Sequence, residues 1–188
     1  MSSAVVLSLL LSAPQAAVEP GPPQPQVVVT TSAGAFVIRL LPERAPKHVA
    51  HFLKVVKAGG FDGTTFHRII PRGIIQGGDP LSKDPQQTSQ YGTGGLGLLK
   101  AEFSDRPMAR GAVAAVRRPK DPNSAGQQFF VVLTDQPSLT GQFTIFGEVV
   151  EGMEVADRLG ETPVDGDRAT SRIEMKVALA PGTPVPAP

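Results

Sequence analysis

The chain has 188 residues, enough for one ordinary domain and too few for two. Its 18 basic and 17 acidic residues are well mixed and leave a formal net charge of +1, without the basic stripe that holds nucleic acid. The absence of cysteine excludes disulfides, thiol nucleophiles and cysteine metal sites.

From the N-terminus, residues 1–17 contain the apolar run Ala4-Val5-Val6-Leu7-Ser8-Leu9-Leu10-Leu11, followed by Ala13, Ala16 and Ala17. The run has the length of a signal-peptide core and is too short to span a bilayer. It predicts a periplasmic or secreted protein with no integral membrane span. No Lys or Arg precedes the run and no A-x-A site follows it; without a signal role the chain is expected in the cytoplasm. The stretch Glu19–Gln26 (EPGPPQPQ) is a proline-rich linker, which cannot form a helix or a central strand, and Pro181–Pro188 reads the same way. These stretches bracket a folded domain at residues 26–180, after a signal-like segment and linker at 1–25 and before a proline-rich, disordered tail at 181–188.

Within the domain, short runs of β-branched and apolar residues alternate with turn residues. They predict strands at Val27–Thr31, Ala35–Leu40, Thr64–Ile69, Ile74–Gly77, Ala112–Val116, Phe129–Val132, Thr144–Val149 and Ile173–Leu179. Pro46–Ala58 reads as a helix. Val49, Phe52, Leu53 and Val56 share one face, proline opens it and Gly59-Gly60 follows its end. A shorter helix is predicted over Gly152–Leu159. The sum is a mainly β fold, expected as a closed eight-stranded antiparallel barrel capped by two α-helices.

The polar residues exclude several chemistries. His48 and His51 lie three apart on the first helix but lack a third ligand, so they are expected to serve packing or the surface; no metal and no cofactor is expected. No serine sits in a nucleophile-elbow context. Gly92-Thr-Gly-Gly-Leu-Gly97 matches G-x-G-x-x-G in letters, yet no strand precedes it and Pro107 forbids a long helix after it. Two segments stand out. Arg68 and Gln76 lie eight residues apart in two apolar strands, and Gln128 precedes the pair Phe129-Phe130. Alternation sends adjacent strand residues to opposite faces, so one phenylalanine of that pair belongs to the core.

At these residues the sequence resembles the cyclophilins. APKHVAHFLKVV, GFDGTTFHRIIP, IIQGGDP, DPNSAGQQFFV and LTGQFTIFGEVVEGMEVADRL match in order and spacing across residues 27–179. The resemblance implies a peptidyl-prolyl cis-trans isomerase that acts on proline-containing segments of client proteins and assists their folding, as a monomer. It implies Arg68 as the catalytic group, Gln76 on the substrate backbone, and Gln128 supporting the groove. Phe130 would be the floor of a proline pocket, with Ile74 and Leu139 as walls and Phe143 where the family often carries His or Tyr. Val116 and Arg117 would line the groove. A guanidinium keeps its charge throughout the working pH range, which suits it to donate to the prolyl nitrogen as resonance is lost.

Departures from the family's pattern leave a second reading open, a proline-binding or chaperone-like module with little turnover. The usual pocket phenylalanine falls on Gly73, so one wall is expected to be missing unless Arg72 or a neighbouring loop covers it. The tryptophan that many eukaryotic members use to contact cyclosporin falls on Ser138, implying weak cyclosporin binding. Arg118–Asp121 is a longer loop than usual, and Leu81–Tyr91 reads as an insertion near the groove.

Overall fold

The computed structural model describes residues 24–183; the apolar run at Ala4–Leu11, most of the proline-rich linker and the end of the tail lie outside the described residues. The β-branched and aromatic runs, punctuated by glycine and proline, form ten antiparallel strands in one sheet. They are β1 (Gln26–Thr31), β2 (Gly34–Leu40), β3 (Phe66–Ile70), β4 (Ile74–Gly77), β5 (Ala112–Ala115), β6 (Phe129–Val132), β7 (Ile145–Glu151), β8 (Val164–Asp165), β9 (Arg168–Ala169) and β10 (Met175–Leu179). Two helices, α1 (Pro46–Lys57) and α2 (Met153–Gly160), complete the fold. The strand order is β10-β1-β2-β7-β5-β6-β4-β3-β9-β8.

All eight expected strands are present, with Thr64, Thr65, Val116, Thr144, Ile173 and Glu174 falling just outside them. The expected mainly β fold with two α-helices is present; among the described residues the ladder has ten strands, and its end strands β8 and β10 do not pair with each other. The β8–β9 hairpin takes part of the free edge of β3 through the pair Arg68↔Arg168. Only the approach to β3 remains to meet the chain entering β10. It does so through the isolated bridge Thr65↔Glu174, with Phe66 N–H donating to Ile173 O at 2.9 Å and Met175 N–H to Thr64 O at 2.8 Å.

The sheet's two faces separate by the period-two rule. Ile75, Val113, Phe129 and Val131 face an inner core, and Ile74, Ala114, Phe130 and Val132 a smaller outer cluster. The inner core is built on phenylalanine. Phe52 of α1 touches Phe61, Phe129 and Phe146 at ring-centroid distances of 4.8, 5.7 and 5.1 Å. Val49, Leu53 and Val56 complete the buried stripe that seats α1 on the sheet, and Val155, Ala156 and Leu159 seat α2.

Helix α1 has no capping side chain of its own, since Ala45 holds the N-cap position. Glu102 supplies the cap from a distant loop. Its Oε1 accepts from Lys47 N–H at 3.1 Å and its Oε2 from His48 N–H at 3.0 Å, with His48 Nδ1 at 2.6 Å from Oε2. Buried His48 is thus a packing and capping partner. Burial opposes the charge on Glu102, but the bonds from His48 and Lys47 outweigh it and hold the carboxyl below the usual carboxylate range. A depressed folded-state value stabilises above the unfolded value, and that contribution is lost as pH falls through the folded one. Glu102→Gln is therefore expected to lower stability by about 1–2 kcal/mol at pH 7 and by progressively less below about pH 4. Urea titrations across pH check this; a deficit that stays constant down to pH 3 would remove Glu102 from the acid response.

Candidate active site

Strand register brings the polar candidates into one row. Arg68 of β3 lies opposite Gln76 of β4, Gln76 opposite Phe130 of β6, and Phe130 opposite Ala114 of β5. The row lies on the outer face, where a groove of about 780 Å³ opens. Ile74, Phe130, Leu139, Phe143 and Val116 pack together as its apolar end. Phe130 and Phe143 meet edge to face at 5.3 Å, while Phe129 on the opposite face contacts Phe66 at 6.0 Å and Phe61 at 5.8 Å. The groove's polar side is formed by Arg68, Gln76, Arg117, Arg118 and the loop that begins at Tyr91.

A directed chain of hydrogen bonds orients the row. Arg68 Nε donates to Asp167 Oδ2 at 2.6 Å, and Arg68 Nη1 to Gln76 Oε1 at 3.2 Å. Gln76 Nε2 donates to Gln128 Oε1 at 3.1 Å; Gln128 Nε2 donates to Asp79 Oδ2 at 3.3 Å and to Gly94 O at 2.7 Å. Each amide has its oxygen toward the arginine and its nitrogen toward Asp79, so the guanidinium's donors fix both orientations. Arg68 Nη2 has no partner among the described residues. Gln128 lies wholly buried behind Gln76 and does not line the groove.

Asp79 anchors the far end. Fully buried, it accepts from Leu81 N–H at 2.8 Å, Gly92 N–H at 2.5 Å and Gly94 N–H at 3.1 Å. The bond from Leu81 caps the first short 3₁₀ turn, Asp84 caps the next by accepting from Gln86 N–H, and the bonds from Gly92 and Gly94 hold the glycine-rich loop over the Asp79 carboxylate. Glycine at 94 is required by close approach, because a Cβ there would lie 2.3 Å from Asp79 Oδ1.

At Gly73, where a wall is expected to be missing, the neighbouring side chain is the exposed Ile70. A Cβ at Gly73 would lie 2.9 Å from Ile70 Cγ2, and Ile70 itself lines the groove. Arg72 is not among the lining residues; it occupies the left-handed region, φ 59°, of the turn that Gly73 N–H closes onto Ile70 O at 2.8 Å. Arg117 covers the apolar end, its guanidinium 4.7 Å from the Phe143 ring centroid, with Nε donating to Gln142 O and Nη1 to the carbonyls of Arg118 and Pro119. Ser138 is absent from the lining.

Sequence reasoning missed Asp167, Ile70 and Arg118. For Asp167 a signal existed. Gly166-Asp167 is the two-residue loop of the β8–β9 hairpin, with glycine at its first position adopting φ 64° and Asp167 at its second beside Arg68. His67, next to Arg68, is turned away from the groove; burial holds its imidazole below the ordinary histidine range, so it is neutral at pH 7.

Residues 26–178 match the family model described as cyclophilin type peptidyl-prolyl cis-trans isomerase/CLD. A probable peptidyl-prolyl cis-trans isomerase of Brucella suis is 37% identical over 164 residues, covering 85% of this chain and 83% of that one. An Arabidopsis thaliana peptidyl-prolyl cis-trans isomerase is 36% identical over 152 residues, 80% of this chain and 90% of that one. Among solved structures, a cyclophilin type isomerase of Cryptosporidium parvum superposes with a TM-score of 0.75 at 27% identity, covering 84% of this chain and 98% of that one.

Proposed function

Because this chain belongs to the cyclophilin-type peptidyl-prolyl cis-trans isomerases and catalyses rotation about X-Pro peptide bonds, we propose that Arg68 is its catalytic residue and that Ile74, Phe130 and Leu139 hold the proline ring. The observation that carries this reading is the free Arg68 Nη2 beside an apolar pocket, on a guanidinium held by two other bonds.

Rotation of a peptide bond faces a barrier of roughly 20 kcal/mol because amide resonance must be broken. No bond to the enzyme is needed. The protein has only to bind the twisted amide more tightly than the planar one. As the amide twists, the prolyl nitrogen recovers its lone pair and becomes a hydrogen-bond acceptor. Arg68 donates to it there, while the apolar end fixes the ring and keeps water from competing. Gln76 gives its oxygen to Arg68 and one N–H to Gln128; its second N–H serves the substrate backbone.

Asp167 is then a positioning residue. Asp167→Ala is expected to lower kcat about tenfold with little change in KM, because the side chain aims Arg68 without touching the substrate. Asp167→Asn, which keeps an acceptor, is expected to recover most of that loss. Exchange spectroscopy on an Ala-Pro peptide measures both; a rise in KM with unchanged kcat would move Asp167 into substrate binding.

The isomerase is further proposed to act as a monomer, since both groove walls come from one chain, with its barrel completed through the Thr65–Glu174 bridge. The apolar run at Ala4–Leu11 supports a place in the periplasm or outside the cell. Slow X-Pro isomerisation limits the folding of many proteins, which gives the activity its use. Light scattering and the mass of the mature N-terminus test the oligomeric and export readings.

A further inference from the structure

The groove is charged in one sense. Its lining includes Arg68, Arg117 and Arg118 and no acidic residue. Two of these cations are committed: Arg68 pairs with Asp167, and Arg117 spans the Phe143 ring and three backbone carbonyls. Arg118 differs. Its backbone is pinned, with N–H donating to Ser124 Oγ at 2.7 Å and its carbonyl accepting from Arg117 and from Asp121 N–H. Its guanidinium makes no hydrogen bond or ion pair with any described residue. Asp121, the nearest acid along the chain, is no partner; its Oδ1 accepts from Asn123 N–H at 2.9 Å within its own turn.

Where Arg118 lies defines what it can read. Consecutive residues diverge here, Arg117 toward Phe143 and Arg118 toward the glycine-rich loop. A Cβ at Gly97 would sit 3.1 Å from Arg118 Nη1, so glycine leaves the guanidinium its place against that loop. Arg118 therefore borders the groove beyond the proline pocket, where the residues flanking an X-Pro pair must run.

Resting on the assignment of this groove to the X-Pro segment, we infer that Arg118 is a specificity residue that selects client segments with a carboxylate side chain flanking the X-Pro pair. The planar fork of donors matches a carboxylate with two parallel bonds. Arg117, whose charge no carboxylate offsets among the described residues, adds a field of the same sign that favours acidic segments and repels basic ones.

The test uses the full chain and short peptides with Glu, Gln or Lys on either side of an Ala-Pro pair, read by cis-trans exchange. For the flank that reaches Arg118, kcat/KM for the Glu peptide should exceed that for the Lys peptide about tenfold at low salt and only two- or threefold at 0.5 M salt. Arg118→Gln should reduce the low-salt ratio to about threefold, and Arg118→Glu should bring it to one or invert it. Equal rates on all peptides, or a ratio that Arg118→Glu does not move, would overturn the preference and leave the isomerase standing. Failure to accelerate any peptide would overturn the assignment of the groove, and the preference with it.

Discussion

Replacing Arg68 with alanine is expected to lower kcat/KM for X-Pro exchange by about 10²–10³-fold, the loss typical of removing one preorganised donor to a developing lone pair or charge. The effect should fall mainly on kcat, since the bond to the prolyl nitrogen exists only when the amide is twisted. Binding of a proline peptide should weaken little, because Ile74, Phe130 and Leu139 remain. Arg68→Lys should stay at least tenfold impaired. One ammonium cannot hold Asp167 and Gln76 in the geometry of a guanidinium and still present a free donor. Stability is the control. The Arg68 side chain is 39% exposed and its ion pair with Asp167 lies at the surface, so the melting temperature should move by only a few degrees. An Arg68→Ala protein that folds normally and keeps more than about a tenth of parental kcat/KM would exclude Arg68 as the transition-state donor.

The part of this site that was legible in the sequence is the part written in period two. Arg68, Gln76 and Phe130 lie in apolar strand runs, and alternation alone puts Gln76 on the face of Ile74 and separates Phe130 from Phe129. The cyclophilin-like motifs supplied the roles. What escaped was carried by contacts between distant segments. Asp167 reaches Arg68 from a hairpin whose strands have two residues each, too short to show any period. Glu102 caps α1 across 54 residues, and nothing near Pro46 signals it. The absent side chain at Gly73 was legible, but the approach of Ile70 to it depends on how the turn through Arg72 folds back. The two additional strands, β8 and β9, escaped for a related reason. Strands of two residues carry no local pattern, and the edge their hairpin occupies is set by pairing with a distant segment.

The two adjacent phenylalanines give the sharpest separation of fold from function. Phe129 is fully buried on the inner face and touches Phe52, Phe61 and Phe66 at centroid distances of 5.7, 5.8 and 6.0 Å. Phe129→Ala would open a cavity at the centre of that cluster, costing about 3–5 kcal/mol. Phe130 is also well packed, but it borders the groove, where solvent can fill the space that truncation leaves. Phe130→Ala should therefore cost about 1–3 kcal/mol and raise KM for a proline peptide some 10–100-fold, as the pocket loses its floor. The chain has no tryptophan, so urea unfolding is best followed by circular dichroism. Phe129→Leu provides a folded comparison if the alanine variant fails to fold. It should lose stability while keeping KM within about twofold of the parent. If substitution at either phenylalanine altered stability and KM in the same proportion, the division between an inner structural face and an outer binding face would be wrong. The assignment of the proline pocket would then fall even if Arg68 proved essential.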